Sequence, residues 1–317
     1  MGLPFPDGKR FAFTIIDDTD VATLSNVKPV YDLLHECGLR TTKTVWPFRW
    51  PGTGSSFVDS DTLEDPAYLR FVQELAARGF EIASHGATME SSERAVTEAA
   101  HARFVECFGA VPTVYANHSY NREGVYWGLD RLDSAPLKTL FRRVNGQQDG
   151  YFQGHVPGSP WWWGDLCLAR HEYVRNLTFN DLNVLKHNPS MPYHDPSRPQ
   201  VRWWFSAADA EDCAEFVAQV TPERVDQLES EGGVCILATH LGKGYTTNGV
   251  VDARVDAAIR DLGRRNGWFV PVGPLLTWLR AQRGADLTLP GAEWRRMQWR
   301  WAFDLLTRKL ARRRRAA

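Results

Sequence analysis

Phe13-Thr14-Ile15-Ile16-Asp17-Asp18-Thr19-Asp20 decides how this chain is read. An apolar run, Phe11 to Asp17, passes straight into two adjacent carboxylates, with a third two residues on. Neighbouring side chains of a strand point to opposite faces, so Asp17 and Asp18 cannot both continue its pattern. They belong where the strand ends and the loop begins. There one carboxylate can hold a metal while the other accepts a proton. An acidic turn is the blander account, since Asp side chains bond nearby backbone. Burying such a pair without a cation or a donor is costly, so the pair asks for partners elsewhere in the chain.

Those partners are sought at the ends of other strands. Helical pattern over Val27 to Cys37 is ended by Gly38, and Thr41 to Trp46 is a second strand, followed by a Pro/Gly-rich loop through Gly54. Pro66 to Arg78 is a helix with Pro near its start and Gly79 as its stop. Phe80 to Ser84 is a third strand delivering His85, Ser92 to Phe108 a helix, and Thr113 to Ala116 a fourth strand delivering Asn117-His118. Far downstream, Gly233 to Thr239 delivers His240. A helix over Asp252 to Asn266, a last strand over Trp268 to Val272 and a helix over Leu275 to Arg283 follow. Alternating strands and helices argue for a parallel sheet, whose site lies at the carboxyl ends of its strands. One histidine at a strand end is ordinarily a satisfied loop residue. Four strands ending in Asp17-Asp18, His85, Asn117-His118 and His240 on one side of one sheet read as chemistry.

Composition narrows the rest. The 317 residues are 43% hydrophobic with formal net charge −1, enough for one large domain and no global case for nucleic acid. No apolar span is long enough to cross a membrane. The opening residues Met1 to Gly8 lack the apolar core and basic flank of a signal peptide. Five cysteines, Cys37, Cys107, Cys167, Cys213 and Cys235, include no CxxC and suit reduced thiols. A cytoplasmic location is therefore expected. Asn176-Leu177-Thr178 carries no weight as a glycosylation site on that expectation.

The set of motifs resembles the polysaccharide deacetylase family, the NodB-homology or carbohydrate esterase 4 group. Thr14-Ile15-Ile16-Asp17-Asp18-Thr19 is similar to a relaxed form of that family's Thr-Phe-Asp-Asp-Gly motif. Ser84-His85-Gly86-Ala87-Thr88-Met89 is similar to its His-containing second motif, and Ile236-Leu237-Ala238-Thr239-His240 to its late strand ending in His. Gly267 to Val272 with Leu275 to Leu279 is similar to its closing strand and helix. The resemblance covers roughly residues 10 to 282. It implies an α/β fold of the deacetylase type, a distorted (β/α)7 barrel, spanning 8–283. By the same resemblance Asp17 is the general base, Asp18 and His85 are metal ligands, and His240 is the general acid. A divalent metal, expected to be zinc, would polarise an acyl carbonyl, and carboxylate and imidazole would move the protons.

Met89 stands where the family's second ligating His belongs. A thioether is a poor zinc ligand beside hard oxygen donors. His118, from the adjacent strand, completes an expected Asp18, His85, His118 set; Asp20 as the substitute, or no metal at all, are the alternatives. The activity expected is removal of an acyl group from an N-acylated sugar, nucleotide- or lipid-linked, in surface-polysaccharide synthesis. A metal-independent hydrolase of a small amide and a glycan-binding barrel without turnover are its rivals.

Between the fourth strand and His240 the chain departs most from the family, with an enlarged insertion expected over about 129–231. It carries Trp161-Trp162-Trp163 on a Gly/Pro-rich stretch and Trp203-Trp204 on a strand. Indoles can cover the apolar face of a pyranose and donate a hydrogen bond; core packing is the plainer reading of Trp203-Trp204. Expected substrate contacts are Asn117, Trp161, Trp162, Trp163 and Tyr245, the last in a Gly-Lys-Gly-Tyr turn after His240. Asn183 to His194 is expected as a long loop over the barrel mouth.

Residues 284–317 form a basic amphipathic segment expected outside the barrel. A helical wheel gives it two apolar stripes, one of Trp294, Met297, Trp301 and Leu305, the other of Trp299, Phe303, Leu306 and Leu310. Arg312 to Arg315 supply a cationic end. A helix folded on the barrel with a solvated tail is one reading. Peripheral contact with an anionic membrane at the inner face of the cell is the other.

Overall fold

A computed structural model describes residues 3–52, 60–146, 148–284 and 287–316, with backbone alone for 145 and 313–316. Part of the loop expected through Gly54 and the side chains of Arg313 to Arg315 lie outside the described residues. In chain order the elements are β1 (Phe11–Asp17), α1 (Leu24–Glu36), β2 (Thr42–Val45), α2 (Pro66–Ala77), β3 (Glu81–Ser84), α3 (Arg94–Phe108) and β4 (Val114–Tyr115). Then come α4 (Ala135–Asn145), α5 (Gly164–Arg170), β5 (Tyr173–Phe179), β6 (Trp203–Asp209), α6 (Cys213–Gln219), α7 (Pro222–Ser230) and β7 (Val234–Thr239). The hairpin β8 (Thr246–Thr247) and β9 (Val250–Val251), α8 (Ala253–Arg264), β10 (Gly267–Trp268), α9 (Val272–Arg283) and α10 (Gly291–Ala316) complete the chain.

Strands β1 to β7 are parallel, each beside the next, and β7 returns to β1 with Ala12 opposite Val234 through Asp17 opposite Thr239. The result is a closed seven-stranded (β/α) barrel, the fold class expected. Both faces of a barrel strand are covered, so strands read as unbroken apolar runs; every residue of β1 and β7 is buried. The expected closing strand is shorter than its sequence pattern. Only Gly267–Trp268 pairs, beside the first residues of β1, while β2 takes the last ones, Ile16 and Asp17. Helix α9 already begins at Val272.

Three expectations are corrected by the architecture. First, the stretch 129–231 is not an insertion between barrel strands, for it contains β5 and β6 themselves. Second, Asn183 to His194 does not cover the mouth. Asn183 accepts a hydrogen bond from Val234 N at 3.3 Å, at the start of β7, and His194 bridges to Thr288; this is the end of the barrel remote from the catalytic candidates. Third, the C-terminal segment is part of the barrel's helical layer. The β5–β6 connection carries only a short turn at Val184–Lys186, and α10 packs on β5 in the place a crossover helix would fill. Trp294, Met297 and Trp301 are buried with Val174, Leu177 and Trp204. The Arg131 guanidinium lies between the Trp127 and Trp301 rings, at 3.9 and 4.7 Å from their centroids.

Candidate active site

The site is built at the carboxyl ends of β1, β3, β4 and β7, with Arg175 reaching in from the middle of β5. Asp17 closes β1 and is fully buried. Its Oδ2 meets Lys43 Nζ at 2.9 Å and accepts from the Tyr31 hydroxyl at 2.9 Å, while its Oδ1 accepts from Leu241 N at 2.8 Å. Lys43 is itself fully buried; burial pushes its ammonium down, and the Asp17 charge outweighs this and holds it above its ordinary value. The Asp17 side chain has no exposed surface, whereas 8% of that of Asp18 is exposed. Asp17 therefore does not sit where a general base must sit.

Asp18 points the other way and forms a two-pronged pair with Arg175 of β5, at 2.9 and 2.5 Å. Registry between β5 and β6 shifts between Arg175 and Thr178, an irregularity that re-aims side chains. Burial raises the Asp18 carboxyl, and the Arg175 charge, with His85 adding to it, brings it below its ordinary range. With a guanidinium on both oxygens, Asp18 is not the carboxylate that faces the histidines.

Asp20 is. Its Oδ1 lies 3.4 Å from His85 Nε2 and 3.6 Å from His118 Nε2, and its Oδ2 lies 3.2 Å from His240 Nε2. Burial pushes its carboxyl up, and His118, His240 and His85 together overcome this and hold it well below the carboxylate range. The chain reaches this position through a strained turn. Val21, a β-branched residue, takes φ of 62°, a left-handed conformation costing of order 1–3 kcal/mol. Asn26 Nδ2 donates to Val21 O at 2.8 Å, and Gly242 packs so closely that a Cβ there would meet Val21 O at 2.6 Å. Absence of a side chain at 242 thus lets the loop after His240 lock the turn that presents Asp20.

The histidines are oriented by their other nitrogens. His85 Nδ1 lies 2.9 Å from Ala116 O, a pure acceptor, so it donates there and Nε2 is the atom turned toward Asp20. His118 Nδ1 lies 2.8 Å from Asn121 Oδ1. The Asn121 amide cannot flip without loss, because its Nδ2 donates to Thr88 O, Glu90 O and Glu123 Oε1 at 3.0–3.1 Å. His118 therefore also turns Nε2 toward Asp20; burial opposes charge on the ring, and Asp20 outweighs burial and raises it above its ordinary value. Glu123, the far anchor of this net, is buried, which raises its carboxyl to about 7.

Asp20, His85 and His118 are the one group of metal-capable side chains that converges among the described residues, with ligand atoms within 4.8 Å of one another. Asp20 Oδ1 is buried and accepts no hydrogen bond of normal geometry. Two ligand atoms about 2.1 Å from a tetrahedral zinc lie about 3.4 Å apart, close to the observed 3.4 and 3.6 Å. Imidazoles held through Nδ1 by an oxygen are the usual outer support of a metal site. The residues present fit a divalent cation. Two of the three expected ligands, His85 and His118, come together, and Asp20 rather than Asp18 completes them. Met89 is buried in the loop between β3 and α3.

His240 follows β7. Both its nitrogens face acceptors, Glu211 O at 2.8 Å from Nδ1 and Asp20 Oδ2 from Nε2, so the ring donates twice, as an imidazolium. Burial opposes that charge, but Asp20 prevails and the ring is raised to about 9. Lys243 Nζ, 2.6 Å from Glu211 Oε1 and 3.9 Å from Asp20 Oδ2, adds a second cation at the rim.

Several expected substrate contacts are structural. Asn117 is buried and exchanges hydrogen bonds with Val125 N and O at 2.8 and 3.3 Å. Trp163 is buried, its Nε1 donating to Glu123 O at 2.7 Å. Tyr245 is fully buried, its hydroxyl 2.7 Å from that of Thr239. Trp162 and Trp161 remain partly exposed, and the Arg122 guanidinium lies 4.0 Å over the Trp161 ring. An aromatic not singled out in the sequence, Tyr120, is 59% exposed and packs edge-on to His118.

No family model matches the sequence, and no curated protein matches it. Solved structures do. A Mycobacterium smegmatis protein assigned as a polysaccharide deacetylase superposes with TM-score 0.51 at 14% identity, covering 91% of this chain and 96% of its own. A Pseudomonas aeruginosa protein with the same assignment gives TM-score 0.50 at 12% identity, covering 88% and 94%. At such identity the likeness is one of fold: the chain has the seven-stranded barrel of the polysaccharide deacetylases.

Proposed function

We propose that this protein is a metal-dependent hydrolase that removes an acyl group from the nitrogen of an N-acylated sugar. The observation that carries the reading is the convergence of Asp20 Oδ1 with the Nε2 atoms of His85 and His118 at 3.4 and 3.6 Å. The barrel shared with proteins assigned as polysaccharide deacetylases supports the substrate class. A zinc ion is the cation this donor set suits best; when bound, it supplies Lewis acidity to the acyl carbonyl and to water.

The protein's own groups move the protons. Asp18, beside the triad and already ionised, accepts the proton of the attacking water, and Arg175 holds its carboxylate in place. Asp17 instead fixes Leu241 N and so positions the loop that bears His240. The imidazolium of His240 donates its Nε2 proton to the nitrogen as the C–N bond breaks, giving free amine and carboxylic acid. Lys243 lends positive charge to the oxygen that becomes anionic. Exposed Tyr120 and half-exposed Trp161 offer ring faces to the sugar.

A nucleotide- or lipid-linked precursor of surface polysaccharide is the proposed substrate, in keeping with the cytoplasmic location expected from the sequence. Peripheral contact with an anionic membrane belongs to the same reading. The test is acid release from N-acetylglucosamine carried on uridine diphosphate or on a polyprenyl phosphate, with and without a chelator. Release that stops on chelation and returns with zinc is expected. Release indifferent to metal would make the protein a metal-independent amide hydrolase, and no release from any N-acylated sugar would leave a glycan-binding barrel.

A further inference from the structure

Helix α10 presents two faces, and only one of them is used by the barrel. Trp294, Met297 and Trp301 are buried against β5 and β6, whereas Trp299, Phe303 and Leu310 are 53%, 59% and 56% exposed. At 100° per residue these three and the half-buried Leu306 fall within about 60° of one another, opposite the buried stripe. Exposed Arg295 flanks them on one side, and exposed Arg296 and half-buried Arg300 on the other. An apolar groove between α4 and α10, lined by Leu140, Val144, Leu305 and Leu306, continues the strip toward exposed Arg143.

We infer that this outer face of α10 seats the protein on an anionic lipid surface. An aromatic and aliphatic ridge bordered by guanidiniums is the chemistry of a helix lying in a membrane interface. The ridge enters the boundary between headgroups and acyl chains while the arginines meet phosphate. The charge also argues against a second copy as the occupant. A two-fold contact through this face would set each arginine row against its like.

Arg312 is not one of the cations that serve here. It donates to Glu215 at 2.7 and 2.8 Å and reaches Asp209 at 3.3 Å, while Arg308 reaches Asp209 at 2.9 Å. Those pairs hold the end of α10 to the barrel and fix which face looks outward. The docking charge comes instead from Arg295 and Arg296 near the start of the helix, since Arg300 pairs with Asp304 at 2.9 Å.

This inference deepens the membrane part of the proposed function. Its test is a binding measurement that needs no catalysis, so either can fail while the other stands. Full-length protein is floated with vesicles containing roughly one-third phosphatidylglycerol, with pure phosphatidylcholine vesicles beside them. The expected result is partition into the anionic vesicles alone, weakened by salt. The variant W299S/F303S/L310S should lose at least tenfold in partition, with unchanged circular dichroism and unchanged hydrolysis of a water-soluble substrate. R295Q/R296Q should lose about ten- to thirtyfold. No binding to anionic vesicles, or equal binding by wild type and the triple variant, overturns the inference. So does a wild-type dimer in light scattering that the triple variant converts to monomer, since the face would then be a self-interface.

Discussion

Asp18 and Arg175 meet as a fork on a fork, Nη1 to Oδ1 and Nη2 to Oδ2 at 2.9 and 2.5 Å, with both side chains almost completely enclosed. The pair joins the end of β1 to the middle of β5 across the barrel. It converts the second of two adjacent carboxylates from a candidate ligand into an oriented base. Arg175→Lys keeps the charge and loses the fork. Its turnover should fall at least about tenfold, while Asp18→Asn should fall about 10²- to 10⁴-fold, both with zinc content intact. Metal lost from Asp18→Asn alone would return Asp18 to the coordination sphere.

Asp17→Asn tests the other half of the doublet. It removes the counter-charge of a fully buried Lys43, a change that typically costs about 3–5 kcal/mol. Urea unfolding should show that loss, and activity should fall with the folded fraction and with the freedom gained by the loop at Leu241. Wild-type stability together with abolished turnover would make Asp17 the base after all.

Much of the barrel was legible because β1 and β7 are nearly unbroken apolar runs and because the ends of β1, β3, β4 and β7 deliver polar residues, whereas β5, with Arg175 and Asn176 inside it, falls within the expected insertion. The division of labour among Asp17, Asp18 and Asp20 was not legible. Which way each carboxylate turns depends on Lys43, Tyr31 and Arg175, from other strands and helices, and on the left-handed Val21, none of which local spacing reveals. Asn121 had a signal that went unused: an amide three residues after His118, well placed to accept from its ring. Trp163 and Tyr245 misled because a Gly-rich neighbourhood suggests an open loop, whereas here glycine permits close packing of aromatic rings into the core. The two stripes of α10 were correctly separable by period, but which one the barrel takes follows from the missing β5–β6 helix.

Gly242→Ala bears on the turn that presents Asp20. A methyl group there meets backbone atoms of Val21 and Ala22 at 2.6–2.8 Å, and overpacking of this kind costs about 1–3 kcal/mol. Because the strain falls on the residue after Asp20, zinc affinity should drop more steeply than the thermal midpoint. Calorimetric zinc titration beside a thermal melt checks this; unchanged affinity with a lowered midpoint would detach the turn from the metal site.

Another prediction concerns acid. His171 Nδ1 donates to Pro112 O at 2.8 Å, and its Nε2 lies 3.2 Å from His101 Nε2, so the pair is held neutral. Burial, with the neighbouring ring, depresses His171 to about 3, and burial depresses His101 to about 4. The unfolded chain binds these protons first. Their stabilisation is complete above about pH 6.5 and is lost as pH falls from there toward 4, at up to about 1.4 kcal/mol per unit for each ring. Glu123, raised to about 7, acts in the opposite sense, so the comparison is with His171→Asn, which keeps the bond to Pro112 O. Urea midpoints at pH 6.5 and 5.0 should show a smaller acid loss in the variant. An equal loss would place the acid sensitivity elsewhere.

Zinc stoichiometry of Asp17→Asn, Asp18→Asn and Asp20→Asn, purified in parallel and measured by plasma mass spectrometry, tests the central claim most directly. The account predicts about one zinc per chain in wild type and in the folded Asp17 and Asp18 variants. It predicts loss of the metal from Asp20→Asn, as from His85→Ala and His118→Ala. Zinc retained by Asp20→Asn and lost from Asp18→Asn would contradict it.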